Sequence, residues 1–127
     1  MSEKVKFTLE YEVKSSPRIL YSFISEPNGL SQWFADEVHY RDQVYSFVWD
    51  DGEEKKAKKV IGKENKQVRF AWLDGDEGYY FDMEISKDEL TNDVALIITD
   101  FSRQENLKDR QLIWDNQIDT LLSVVGA

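Results

Sequence analysis

SRQENLKDRQLIWDNQIDTLLSVVGA, residues 102–127, is the stretch that decides the fold. Ser102-Arg103-Gln104-Glu105 has the Ser-x-x-Glu form of a capping box, in which each side chain satisfies a free backbone donor at a helix start. Gly126 supplies a helix stop. Between them, at ~100° per residue, Leu107, Trp114, Ile118, Leu121, Leu122 and Val125 fall on one face. Leu112 and Ile113 lie off that face, so both are expected to be partly exposed or covered by the short helices. A long helix with one apolar face needs a surface to lie on, and the rest of the chain has to provide it.

The rest reads as a sheet. Val5, Phe7, Leu9, Tyr11 and Val13 alternate with charged or polar neighbours, the pattern of a long half-buried strand. Ser16 is a fitting N-cap and Pro17 suits the first helical position of a short helix, with Ile19, Leu20, Phe23 and Ile24 as its inner stripe. Pro27 opens a second helical piece that ends at Trp33 and Phe34 and is weakened by Gly29. Strand period then returns over 38–40, 44–49, 54–61, 67–73, 79–85 and 93–101. Asp50-Asp51-Gly52 carries hairpin chemistry, and Asp74-Gly75-Asp76-Glu77-Gly78 makes a further turn. One strand, two short helices, about six antiparallel strands and one long helix predict an α+β fold in a single domain, 1–127. In it a curved antiparallel sheet of six to seven strands wraps the last helix, which buries both faces.

Composition narrows the function. The chain has 127 residues, 41% hydrophobic and 13% aromatic, enough for a packed core. It has no cysteine, so disulfides, thiol nucleophiles and thiol-ligated metals are excluded. The net charge of −9 opposes attraction to phosphate backbones, and no nucleic-acid partner is expected. No apolar run approaches the ~20 residues of a membrane span, and the opening Met1-Ser2-Glu3-Lys4 is unlike a signal peptide. A cytoplasmic monomer is expected. Lys55, Lys56, Lys58, Lys59, Lys63 and Lys66 form a local basic run, read as a solvated or edge strand guarded by charge or as a docking surface for an acidic partner.

The segment 15–34, with Ser16-Pro17 and then Pro27-x-x-Leu30-x-x-Trp33-Phe34, resembles the helix-grip, START-like (SRPBCC) superfamily. Its nearest branch is named after the activator of the heat-shock chaperone ATPase. The resemblance implies a cavity for an apolar ligand between the long helix and the sheet.

The residues suggest the same place on their own account. Trp33, Phe34, Phe47, Trp49, Phe70, Trp72, Phe81, Met83 and Trp114 are more bulk than a thin core needs, although they could equally interdigitate and fill the space. On the helix, Arg110 and Gln111 interrupt the apolar stripe; they either meet water at an open rim or stand as polar contacts at a cavity mouth, Arg110 then for a carboxylate or phosphate head. His39, the single histidine, has no partner at a telling spacing and reads as a surface residue. Asp82 and Glu84 share a strand face that reads as solvated. A calcium loop at 74–78 fails because the template needs Gly at Tyr79 and Glu at Ile85. No catalytic motif, metal site or cofactor site emerges. Three readings follow: a binder of a small hydrophobic molecule or lipid, a protein-interaction module resembling the chaperone activators, or an enzyme of a cyclase or hydrolase branch.

Overall fold

The alternation of the first strand is realised as β1 (Lys4–Val13), which puts Phe7 and Val13 in the core and leaves Lys6, Thr8, Glu10 and Glu12 outside. The structure, a computed structural model, describes residues 3–73, 75 and 78–126. The turn at 74–78 therefore lies partly outside the described residues; Gly75 and Gly78 take the positive φ that suits a turn. After β1 come α1 (Pro17–Ser25), α2 (Pro27–Leu30), β2 (Glu37–Arg41), β3 (Val44–Val48), β4 (Glu54–Lys63), β5 (Gln67–Trp72), β6 (Tyr80–Lys87), β7 (Val94–Arg103) and α3 (Leu107–Val124). All neighbouring strands are antiparallel, in the order β1-β7-β6-β5-β4-β3-β2. The chain has the α+β arrangement that its periodicity predicts and the helix-grip form that the resemblance implies.

Local chemistry explains the joints. Ser16 Oγ accepts the backbone N–H of Ile19 at 3.2 Å and starts α1 directly before Pro17. Leu20 and Ile24 are fully buried, whereas Ile19, expected on the inner stripe, is 44% exposed. Gly29 is the residue that lets α2 close on α1: a Cβ there would run into the Ser22 carbonyl and the Phe23 Cα. The β3–β4 hairpin turns as expected, with Gly52 at φ 89° and Glu53 N–H donating to Asp51 Oδ1 at 2.8 Å.

The helix start differs from its prediction. Strand β7 runs through Ser102 and Arg103, and a short 3₁₀ turn, Gln104–Asn106, precedes α3. The Ser102 hydroxyl donates to the Arg103 carbonyl, and no side chain caps the helix. Pairing with β1 (Ser102 opposite Val5) fixes Ser102 in the sheet, so the capping-box pattern is overridden by tertiary structure. Further along, the helix follows its phase: Trp114, Ile118 and Leu121 are buried, and Leu112 and Ile113 are exposed. Eighteen residues make it ~27 Å long.

The basic run also differs. β4 lies between β3 and β5, so it is no edge. Its lysines split by the two-residue period: Lys56 and Lys58 face outward, while Lys55 Nζ lies 4.2 Å over the Trp72 ring and Lys59 Nζ 5.4 Å over Tyr45.

Candidate functional site

The aromatic residues singled out from the sequence meet beneath α3. Phe34 is the hub, with ring centroids 5.0 Å from Phe47, 5.0 Å from Phe81, 5.5 Å from Trp33, 5.7 Å from Trp114 and 5.8 Å from Trp49. Phe70 and Trp72 join through Phe81 at 5.1 and 5.0 Å, and Met83 is fully buried on the same strand. Ring meets ring at the spacing of a packed aromatic core. In this conformation the interior under the helix is filled by side chains.

Open space lies beside α3 instead. Three hollows of about 350, 290 and 260 Å³ share walls and form one groove along the helix. Trp72, Lys55 and Arg110 separate the first from the second; Trp49 and Gln117 separate the second from the third. Arg110, Ile113 and Gln117 supply the helix side because their spacing of three and four residues puts them on one flank of α3.

The floor of the groove is polar and built. Asp100, only 4% exposed, accepts from Trp114 Nε1 at 2.8 Å and Arg110 Nε at 3.2 Å through one oxygen, and from the Phe101 N–H at 2.8 Å through the other. That network leaves Arg110 about a third exposed, with its guanidinium on the wall between two hollows. Higher up, the Phe34 carbonyl accepts from both Trp49 Nε1 (2.9 Å) and Gln117 Nε2 (2.8 Å). Gln117 Oε1 is buried with no partner, an unpaired acceptor in the groove wall. Leaving such an atom unsatisfied costs roughly 1–3 kcal/mol, so a donor that reached it would be favoured, and because the oxygen itself has almost no accessible surface the wall must shift to admit one.

The sequence anticipated Arg110 but not its partner. Asp100 was legible in principle, since it continues the inward alternation of Val94, Leu96 and Ile98 and an acid in phase with a core stripe needs a donor. Gln117 stands one turn beyond Trp114 and had no comparable signal. Gln111 is half-buried but is not one of the walls of the groove.

Residues read as surface groups are dispersed. His39 is exposed on β2 with Nε2 3.3 Å from Glu37, away from the groove. Asp82 does not belong to a solvated face: it is 4% exposed, because Gln67 Nε2 (2.8 Å) and Arg69 Nε (2.9 Å) cover it, while Glu84 is exposed. Among the described residues no cluster of histidine, aspartate or glutamate is arranged to hold a metal ion, and no helix is long and apolar enough to cross a membrane.

Comparison with known proteins bears on the whole chain. The family model of the START-like superfamily domain matches residues 1–127. A Bacteroides fragilis protein of known solution structure is 39% identical, with 98% of this chain and 92% of that one covered and a TM-score of 0.67. The Aha1 dimer from Colwellia psychrerythraea has a TM-score of 0.80 at 16% identity, over 95% of this chain and 96% of that one. A Mesorhizobium loti protein gives 0.80 at 11% identity, over 96% and 97%. No curated protein matches the chain.

Proposed function

The chain belongs to the START-like superfamily, and from that premise we propose that it is a non-catalytic binding domain that holds a small amphipathic molecule in the groove beside α3. The observation that carries the reading is the unpaired Gln117 Oε1 in a groove wall shared with Trp49. Converging polar groups fix the orientation of a bound small molecule, and here they stand beside the exposed edges of Trp49, Trp72 and Ile113. The molecule has an apolar body against Trp49, Trp72 and Ile113, a hydroxyl or N–H for Gln117, and an anionic group for Arg110. The last two stand seven residues apart on the helix, so they are spaced ~10 Å along it. Asp100 is occupied by three donors, which supports binding over proton transfer. The missing thiols and the charge of −9 fit a cytoplasmic setting.

Titration with hydroxylated aromatic carboxylates and single-chain lipids, followed by tryptophan fluorescence and amide shifts, tests this. Saturable shifts at Trp49 and Trp72 are expected, and Gln117→Leu should weaken binding roughly tenfold. Uniformly absent shifts across both ligand classes would sink the reading.

A second reading, the protein-interaction module, is supported by Lys56 and Lys58 on the outward face of β4. Salt-sensitive association with an acidic protein, lost in the Lys56→Glu/Lys58→Glu variant, is its test. If reversal leaves such association intact, these lysines serve only to keep the face soluble.

A further inference from the structure

β1 is the longer of the two edge strands of the sheet, ten residues against five in β2. Among the described residues β7 is the one strand it pairs with, and at its start the Lys4 N–H donates to the Tyr79 hydroxyl at 3.3 Å. Charges on an edge usually prevent it from pairing with another chain. On β1 they are segregated. Its outward row reads Lys4, Lys6, Thr8, Glu10, Glu12, cations at one end, acids at the other and a threonine in the middle.

Prevention requires charge but not this order. A two-fold axis through Thr8 brings a second copy of the row antiparallel to the first. Lys4 then faces Glu12 of the second copy, Lys6 faces its Glu10, and Thr8 faces Thr8. Every charge in the row meets its opposite. A regular antiparallel ladder between two identical edges can shift only by two residues at a time, because hydrogen-bonding positions must face hydrogen-bonding positions. Shifted one way, Lys6 faces Thr8; shifted the other, Thr8 faces Glu10. The register centred on Thr8 is the one in which all four charges are matched. The opposite face agrees. Val5, 37% exposed, falls across from the half-buried Tyr11, and the buried Phe7 across from the half-buried Leu9.

We infer that the free edge of β1 pairs with a second copy of this chain, about a two-fold axis at Thr8, joining the two sheets into one continuous sheet. Of the groove beside α3, Lys4 alone, on the wall of the first hollow, takes part in this contact. The partner is a homodimer mate in place of the monomer expected from the sequence.

Light scattering after size exclusion, up to millimolar concentration, tests the pairing. The unchanged chain should dimerise, and more weakly in high salt. Lys4→Glu/Lys6→Glu and Glu10→Lys/Glu12→Lys should each weaken dimerisation roughly tenfold or more, since like charges then oppose across the strands. An equal mixture of the two variants should recover dimers, all of them mixed. Because the chain has no cysteine, Thr8→Cys gives a clean register probe: it should oxidise to a disulfide-linked dimer, whereas Lys4→Cys and Glu12→Cys alone should not. A monomer at millimolar concentration overturns the inference. So do dimers indifferent to the charge reversals, or cross-linking that fails to favour position 8.

Discussion

Beneath α3, Phe34, Phe47, Phe70, Phe81 and Trp114 have almost no accessible surface, and each ring packs on others. Beside α3, Trp49 and Trp72 pack on the same rings with one side only and meet, in addition, a carbonyl, a lysine over a ring face, and open space. Both regions are aromatic, so aromatic count alone does not mark a binding site. What separates them is polar satisfaction. Under the helix, the Trp114 indole N–H has found a buried carboxylate; in the groove wall, a glutamine oxygen has found nothing. The first region is finished as a core, and the second is still short of a partner.

The largest effect that could break this contrast is at Trp114. Trp114→Ala should destabilise the fold by roughly 3–5 kcal/mol in chemical denaturation, because it opens a large void and deprives Asp100 of a donor. Trp49→Ala, at a half-buried ring on the groove, should cost less than half as much. Equal losses would mean that the groove is as much core as the interior is.

Asp100→Ala comes next, at about 1–3 kcal/mol, since it strands the buried Trp114 N–H. Arg110 is partly exposed and can turn to water, so its loss adds little. Asp100→Asn, which keeps an acceptor, should recover part of that stability. If both variants match the unchanged chain, the network is only an accident of packing.

The long helix, its buried face and the succession of strands along the chain were legible because each rests on a period, 3.6 or two, that packing preserves. Where β7 ended was not, because Ser102 and Glu105 satisfy a helix-start pattern while Ser102 is held in register with Val5. The lysines of β4 were legible as a run but not as two faces of an interior strand, which depends on what flanks the strand. Of the groove, Arg110 could be picked out as a break in an apolar stripe. Gln117 could not, since a single glutamine on a helix becomes informative only when its surroundings show one atom paired and the other not.

Gln117→Leu tests that last difference on the free protein. It removes the unpaired oxygen but also the donor to Phe34 O, so the two losses nearly offset and stability should change by less than ~1 kcal/mol. A thermal midpoint lowered well beyond that would make Gln117 a structural strut, and the contrast between finished core and unfinished wall would fail at its main atom.

An effect of similar size is at the other flank of α3, where the Tyr11 hydroxyl donates to Asp115 Oδ1 at 2.6 Å and ties the helix to β1. Partial burial, then the hydrogen bond to Asp115 and the charges of Asp115 and Asp119, raise the Tyr11 phenol above its ordinary value of 10.0. The folded chain therefore holds this proton more tightly than the unfolded chain does. Its contribution is fully present below pH 10.0 and is lost as pH climbs through the raised folded value. Tyr11→Phe should cost about 0.5–1.5 kcal/mol at neutral pH. Burial also raises Tyr45, so the alkaline slope of the unchanged chain has two sources, and only the difference between it and Tyr11→Phe isolates this bond. That difference in stability should be flat from neutrality to about pH 9 and shrink above it, because only the unchanged chain has the proton to lose. A difference that stays constant into strong alkali would mean that the phenol holds α3 by its ring alone, leaving the helix tied at this flank by packing, as it is beneath.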